Sequence, residues 1–179
     1  MTKVTTVSIA QAYSLIGEFV SKANTIEFLV NVCLEQIINN LQGSNLDHKL
    51  EINYTIDNIH EQSVRARISN IILLLTVSNE SSPPIEDLIS FFKNLYKHYN
   101  KKIRDNRDFI AHNPYIEGTQ QIINSRRFKR EIKLQSIAIS DLPELTREIT
   151  PILLELNERL ELIQTLYPGD EVIRDFKHQ

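Results

Sequence analysis

The segment Ser8–Gln42 reads SIAQAYSLIGEFVSKANTIEFLVNVCLEQIINNLQ. Its apolar residues recur at steps of three and four: Ile16, Phe19, Val20, Ala23, Leu29 or Val30, Cys33, Ile37 and Leu41. That period predicts a long amphipathic helix, with Ser8 as its cap and Gly43 as its stop. Around Phe28–Leu34 most faces are apolar, which indicates packing against two surfaces, as in a core helix of an oligomer.

Two more helices are predicted downstream. Ile59 to Leu75 show a helical period, so a second helix is expected from Asp57 to about Val77. Pro83-Pro84 predicts the start of a third helix, because proline is tolerated in the first turn. This helix is expected to end near Asn113, since Pro114 disfavours helical geometry at the residue before it.

The remaining segments predict short strands and a final helix. Leu50–Ile56 alternates like a strand, and Ile132–Ile139 alternates weakly, so the two are candidates to pair. A last helix is expected from Asp141, where Glu144 completes a capping pattern. Pro151 either kinks this helix or follows a new cap at Thr150.

These elements predict an all-α fold: an up-and-down bundle of four to five helices with a small two-stranded excursion. Residues 1–179 are expected to form one domain, with 168–179 as a flexible tail.

The net charge of −3 means that any contact with RNA must come from a local basic patch. One cysteine excludes an internal disulfide, and no signal peptide or membrane span is visible, so a cytoplasmic protein without membrane contact is expected.

The stretch Lys101–Tyr115 reads KKIRDNRDFIAHNPY and holds the chemically distinctive residues. Arg107 and His112 are five positions apart, which places them roughly 140° apart around an ideal helix. A facing copy of the helix would bring two arginines and two histidines around one pocket. Histidine transfers protons near neutral pH, and arginine binds phosphate oxygens, so the set suits RNA cleavage without metal. The alternative is structural: His112 binds a helix-terminal carbonyl, and Arg107 pairs with a nearby carboxylate.

Arg107-Asp108, three further residues and His112 form the Arg-polar-x3-His pattern, and this chain thereby resembles the HEPN superfamily. The resemblance implies a four- to five-helix bundle that often dimerises to build a composite ribonuclease site. It implies that Arg107 and His112 are catalytic and that Asp108 supports them. Arg104, Asn113 and Tyr115 are further candidates for supporting residues. Tyr115 stands three residues after His112, whereas the toxins regulated by a partnered nucleotidyltransferase have tyrosine two residues after it.

The resemblance thus leads us to expect a metal-independent endoribonuclease that leaves a 2′,3′-cyclic phosphate. The expected context is a toxin or phage-defence effector, with RNA as substrate, a homodimer, and a cognate antitoxin or regulatory protein. Two alternatives stand beside it: a non-catalytic module that binds nucleotide, RNA or protein, and a helical scaffold. No cofactor is expected. His48, His60 and His98 lack second ligands at metal spacing, so no metal site is expected either.

The only dense basic run follows the motif by about a dozen residues. It supplies candidate RNA-binding residues, with an aromatic side chain available for stacking on a base. These are Arg126, Arg127, Phe128, Lys129 and Arg130. The alternative is a solvated loop or edge strand that its charges keep soluble.

Overall fold

The computed structural model describes residues 7–42, 62–77, 82–128 and 131–168, apart from the side chains of 42, 124–128 and 131–134. The fold is all-α with a small β excursion, as the sequence predicts. The helices are α1 (Ile9–Gln42), α2 (Val64–Val77), α3 (Pro83–Tyr99), a π-helical turn (Asn100–Arg104), α4 (Asp105–His112) and α5 (Leu142–Leu166). The strands are β1 (Tyr115–Ile116), β2 (Gln121–Phe128) and β3 (Glu131–Ala138).

The described residues group into two compact units. The first contains the described parts of Met1–Thr25 and His98–Leu153, and the second contains those of Ile26–Lys97 and Leu154–Gln179. Helices α1 and α5 therefore each begin in the first unit and end in the second. None of the described helices is long and apolar enough to cross a membrane.

The start of α1 agrees with the sequence. The hydroxyl of Ser8 accepts a hydrogen bond from the backbone N–H of Gln11 at 3.3 Å, which is the expected N-cap. The predicted stop at Gly43 lies outside the described residues. Leu29, Cys33 and Leu34 are buried, whereas Phe28 is 54% exposed.

In the second unit, helix α1 contacts both α2 and the end of α5. Arg67 of α2 donates a hydrogen bond to the side-chain oxygen of Asn31. The side-chain amide of Gln36 donates to the backbone oxygen of Tyr167 at 2.6 Å, one residue beyond α5. Gln36 is buried, so this bond satisfies a polar group that would otherwise destabilise the core.

Helix α3 contacts the same two helices, α2 and α5. The guanidinium of Arg65, on α2, lies 4.2 Å from the centre of the Tyr96 ring on α3. Arg159, on α5, forms an ion pair with Asp87 on α3. Since α1 meets α2 and α5, and α3 meets the same two, the four helices surround one core. Its largest fully buried side chains are Phe92, Ile26, Leu34, Ile37, Ile68, Ile71, Leu75 and Leu88.

Helix α2 starts later than predicted. The sequence places the N-cap at Asp57, but Gln62 and Ser63 are not helical and the helix begins at Val64. The hydroxyl of Ser63 accepts a hydrogen bond from the Ala66 N–H at 3.3 Å and so caps the helix that begins at Val64. Asp57 lies outside the described residues. The predicted end at Val77 is confirmed.

In the first unit, the β excursion has three strands in the antiparallel order β1-β2-β3. The strand expected over Ile132–Ile139 is present as β3, but it pairs with β2, for which the sequence predicted no element. Its other proposed partner, Leu50–Ile56, lies outside the described residues, as does the tail from 169 onwards. Only two residues separate Phe128 from its partner Glu131, and so short a connection brings β2 and β3 together at little entropic cost.

The turn between β1 and β2 depends on Gln120, which adopts a φ of 54° although it is not glycine. Its side chain donates to the Glu117 backbone oxygen at 2.9 Å and accepts from the Val7 N–H at 3.1 Å. Its own backbone oxygen accepts from the Ile139 N–H at 3.0 Å. These bonds offset the cost of a left-handed conformation, which is about 1–2 kcal/mol for a residue with a Cβ atom.

Helix α5 runs through Pro151 without a new start, so Thr150 is not a cap. The Thr150 hydroxyl instead donates a hydrogen bond to the Thr146 backbone oxygen at 2.7 Å and accepts one from the Lys22 ammonium of α1 at 3.2 Å. The helix begins at Leu142, after a 3₁₀ turn over Ile139–Asp141.

The buried ring of Phe92 provides a direct test of the core. Phe92→Ala is expected to lower the free energy of unfolding by about 3–5 kcal/mol, because it removes a fully buried ring and leaves a cavity. The exposed neighbour serves as control, since Lys93→Ala is expected to change stability by less than about 0.5 kcal/mol. Urea denaturation measures both, and an equal loss in the two variants would contradict this assignment.

Burial raises the pKa of the Cys33 thiol from its ordinary 9.0 to about 12. Between these values the folded chain keeps the proton and the unfolded chain loses it. The free energy of unfolding is therefore expected to fall as the pH rises from about 9 to about 12. Cys33→Ala should remove that part of the slope, and the difference between the two denaturation series isolates the thiol from other groups. If the free energy of unfolding changes with pH in the same way in Cys33→Ala and in the unmodified chain, Cys33 is accessible to water.

Candidate functional site

The motif lies on one uninterrupted helical segment made of α3, the π turn and α4. In the π turn the Asp105 N–H bonds to the backbone oxygen of Asn100, five residues earlier instead of four. Ile103 and Ile110 are buried and anchor the segment on its inner side. Single π turns inside α-helices occur frequently at functional sites. The side-chain oxygen of Asn100 is buried and finds no hydrogen-bond donor among the described residues.

Arg107 lies in a row of three charged side chains on this segment. One of its terminal nitrogens is 3.0 Å from a carboxylate oxygen of Asp108, and Arg104 Nε is 3.6 Å from the other. The Arg107 side chain is 23% exposed, whereas those of Asp108 and Arg104 are 41% and 49% exposed. Ion pairs this exposed contribute little to stability, about 0–1 kcal/mol. Their consequence is geometric: Asp108 holds the Arg107 guanidinium close to the helix surface.

His112 is the last residue of α4, as predicted, and its side chain is exposed. From Arg107 to His112 the ideal helix advances about 7.5 Å and turns about 140°. Both residues thus belong to one helix end, but they present different sides of it. In a single copy the guanidinium of Arg107 and the imidazole of His112 therefore do not converge by themselves.

Asn113 ends the helix rather than joining the charged row. Its φ of −120° and ψ of 145° are extended, as expected before Pro114. Its side-chain amide donates to the Phe109 backbone oxygen at 2.6 Å and so satisfies one carbonyl of the last turn. We therefore assign Asn113 a capping role. His112 takes no part in this cap.

Tyr115 also has a packing position. It begins β1, opposite Ile122, and its ring meets Tyr13 of α1 edge to face at 6.1 Å between centroids. Its hydroxyl is buried and makes no hydrogen bond with the residues that the structure describes. Of the supporting residues expected from sequence, Arg104 and Asp108 therefore join Arg107, whereas Asn113 and Tyr115 do not.

The basic run belongs to the β2–β3 hairpin. In the backbone register Arg126 pairs with Lys133, Arg127 with Ile132, and Phe128 with Glu131. The side chains of these residues lie outside the description, and so do Lys129 and Arg130 altogether. Their role in binding RNA stays a prediction.

Sequence reasoning did not find the pairing of Arg65 with Tyr96, which lines an open cleft of about 370 Å³ in the second unit. The two residues are far apart in the chain, and no local pattern predicts their contact. Across residues 7–42, 62–77, 82–123 and 135–168, no cluster of three or more His, Cys, Asp and Glu side chains is arranged to hold a metal ion.

No family model, no curated protein and no solved structure matches this chain. The resemblance to the HEPN superfamily therefore rests on the motif residues around Arg107 and His112.

The cap at Asn113 can be tested by substitution. Asn113→Ala is expected to lower the free energy of unfolding by about 1 kcal/mol, since it leaves a helix-terminal carbonyl without its donor. Asn106→Ala is the control, because its amide also bonds to the carbonyl four residues earlier, but at 3.3 Å and within the helical segment. Thermal denaturation compares the two. If Asn113→Ala is as stable as the unmodified chain, Asn113 does not stabilise the helix as a cap.

Proposed function

We propose that the chain is a metal-independent endoribonuclease of HEPN type whose site forms between two copies. The observation that carries this proposal is the placement of an exposed His112 on the final turn of the helix where Asp108 holds Arg107. Because the two groups lie on different sides of that helix end, a second copy is needed to complete the set. RNA is the proposed substrate, and the second copy is the proposed partner.

The proposed reaction is an internal transfer at phosphorus. The 2′-hydroxyl of the ribose loses its proton to one His112 and attacks the adjacent phosphorus. The bond from phosphorus to the 5′-oxygen breaks, and the leaving oxygen takes a proton from the other His112. The products are a 2′,3′-cyclic phosphate and a free 5′-hydroxyl. Arg107 binds the phosphate oxygens, where negative charge develops in the transition state.

The biological setting follows from the same resemblance. We place the activity in the cytoplasm, as that of a toxin or phage-defence effector that a cognate antitoxin or regulatory protein restrains. The β2–β3 hairpin, with Arg126, Arg127, Phe128, Lys129 and Arg130, is the proposed second contact to RNA.

A second function, binding of RNA or nucleotide without cleavage, is favoured by the ion pair at Arg107. Asp108 neutralises part of the guanidinium charge at 3.0 Å, and a phosphate must compete with that carboxylate. Such an arrangement suits reversible phosphate binding as well as catalysis. Tight binding without turnover, lost in Arg107→Ala, would identify this function.

The catalytic proposal predicts that Arg107→Ala and His112→Ala each lower RNA cleavage by about 100-fold or more. Labelled single-stranded RNA and tRNA are incubated with purified protein in excess EDTA, and the fragments are tested for a cyclic phosphate. Arg147→Ala is the control, because it removes an exposed arginine that pairs only locally with Glu144. Cleavage that survives in His112→Ala would refute the mechanism.

Mixing the unmodified chain with His112→Ala tests the composite site separately. Because the mechanism uses the His112 side chains of both copies, a dimer of one unmodified and one substituted chain is expected to be inactive. Random mixing in equal amounts makes half of the dimers mixed, so the activity per unmodified chain should fall to about half. An unchanged activity per unmodified chain would place both proton-transfer groups in the same copy.

A further inference from the structure

The cleft in the second unit lies where the start of α2 meets α3. It is lined by Ser63, Arg65, Ala66, Ser69, Asn70 and Tyr96, and has a volume of about 370 Å³ that is open to solvent. This volume falls in the range of small-ligand pockets, roughly 300–1,000 Å³. Among the residues that the structure describes, the lining combines one cation, one aromatic ring, two hydroxyls and one amide, without a carboxylate.

The Arg65–Tyr96 pair forms one wall of the cleft. Arg65 is exposed, and its guanidinium lies 4.2 Å from the centre of the half-buried Tyr96 ring. Contact with the ring restricts the arginine before a ligand arrives, so less side-chain entropy is lost on binding. A guanidinium held in this way offers a flat surface on which a nucleobase stacks.

Two other polar groups of the lining are also held in place. Ser63 is fixed by its capping bond to Ala66, and the Asn70 amide donates to the Gln62 side-chain oxygen at 2.6 Å. That bond fixes the orientation of the Asn70 amide, whose carbonyl oxygen is an acceptor for a base amino group. The hydroxyls of Ser63 and Ser69 are donors for phosphate oxygens, and the positive end of the α2 dipole adds to the Arg65 charge.

We propose that this cleft binds a nucleotide, either free or as one unit of single-stranded RNA. The base stacks against the Arg65–Tyr96 pair, and the phosphate lies between the Arg65 guanidinium and the hydroxyls of Ser63 and Ser69. The stacked cation distinguishes such a ligand from a simple anion, because it recognises the base as well as the charge. This site shares no residue with the Arg107 motif and does not require that the chain cleave RNA.

The test uses the full chain carrying His112→Ala, so that bound RNA is not cut. Adenosine 5′-monophosphate, inorganic phosphate and a fluorescein-labelled six-residue oligoadenylate are titrated by calorimetry or fluorescence anisotropy. Amide shifts in an NMR titration with the mononucleotide locate the contact, which is expected over residues 63–70. Arg65→Gln should weaken binding by about tenfold or more, whereas Arg147→Gln, with the same loss of charge, should change it by less than about twofold.

The two variants at Tyr96 test the role of the ring. Tyr96→Phe should bind normally because the ring remains, and Tyr96→Leu should weaken binding about as much as Arg65→Gln does. If Tyr96→Leu does not fold, the comparison of Arg65→Gln with Arg147→Gln is sufficient. Binding of the oligoadenylate alone, lost in Arg65→Gln, identifies the RNA form of the ligand, and binding of the mononucleotide identifies the free form.

Three results would overturn the proposal. The first is the absence of binding by any probe, and the second is binding that Arg65→Gln leaves unchanged. The third is inorganic phosphate binding as tightly as the mononucleotide, which would show that no base is recognised. None of these results bears on cleavage by Arg107 and His112, which is measured with the unmodified histidine.

Discussion

Helix α1 buries apolar side chains along nearly all of its 34 residues, from Ala12 to Leu41, and within each unit the described residues cover the part of α1 that belongs to it. An isolated helix with so much apolar surface would not stay dissolved, because each buried aliphatic side chain is worth about 1.5–3 kcal/mol of transfer free energy. The cover is different in the two units. In the second unit three other helices supply it, whereas the first unit combines helical segments with the small sheet.

The apolar periodicity of the sequence predicted the helices that this burial stabilises. The long helices and the end of α4 at His112 follow from apolar spacing and from Pro114, which act locally. The start of α2 at Val64 was not predicted, because Asp57 and Ser63 are both good caps and local sequence does not choose between them. Strand β2 was missed because its outer half, with Arg126 and Arg127, has no apolar alternation, and its pairing with β3 defines it instead.

The residues of the candidate site also divide into those that a local pattern predicts and those that only tertiary packing defines. A spacing rule found Arg107 and His112, and it placed them correctly at the end of a helix. It also named Asn113 and Tyr115 as supporting residues. Asn113 bonds to a backbone carbonyl of the last helical turn and Tyr115 packs against Tyr13, and their part in the site stays a prediction. Contacts between distant segments, such as Arg65 with Tyr96, are set by tertiary packing alone, so no pattern in one sequence indicates them.

The π turn at Asn100–Arg104 affects how the sequences of related chains would align with this one. A bond that spans five residues instead of four accommodates one extra residue without breaking the helix. A chain lacking that residue would keep both its apolar face on α3 and its Arg-to-His spacing on α4, but the distance in sequence between them would be one shorter. A search for related chains should therefore allow a gap of one residue at Asn100–Arg104, with the segments on both sides aligned in full.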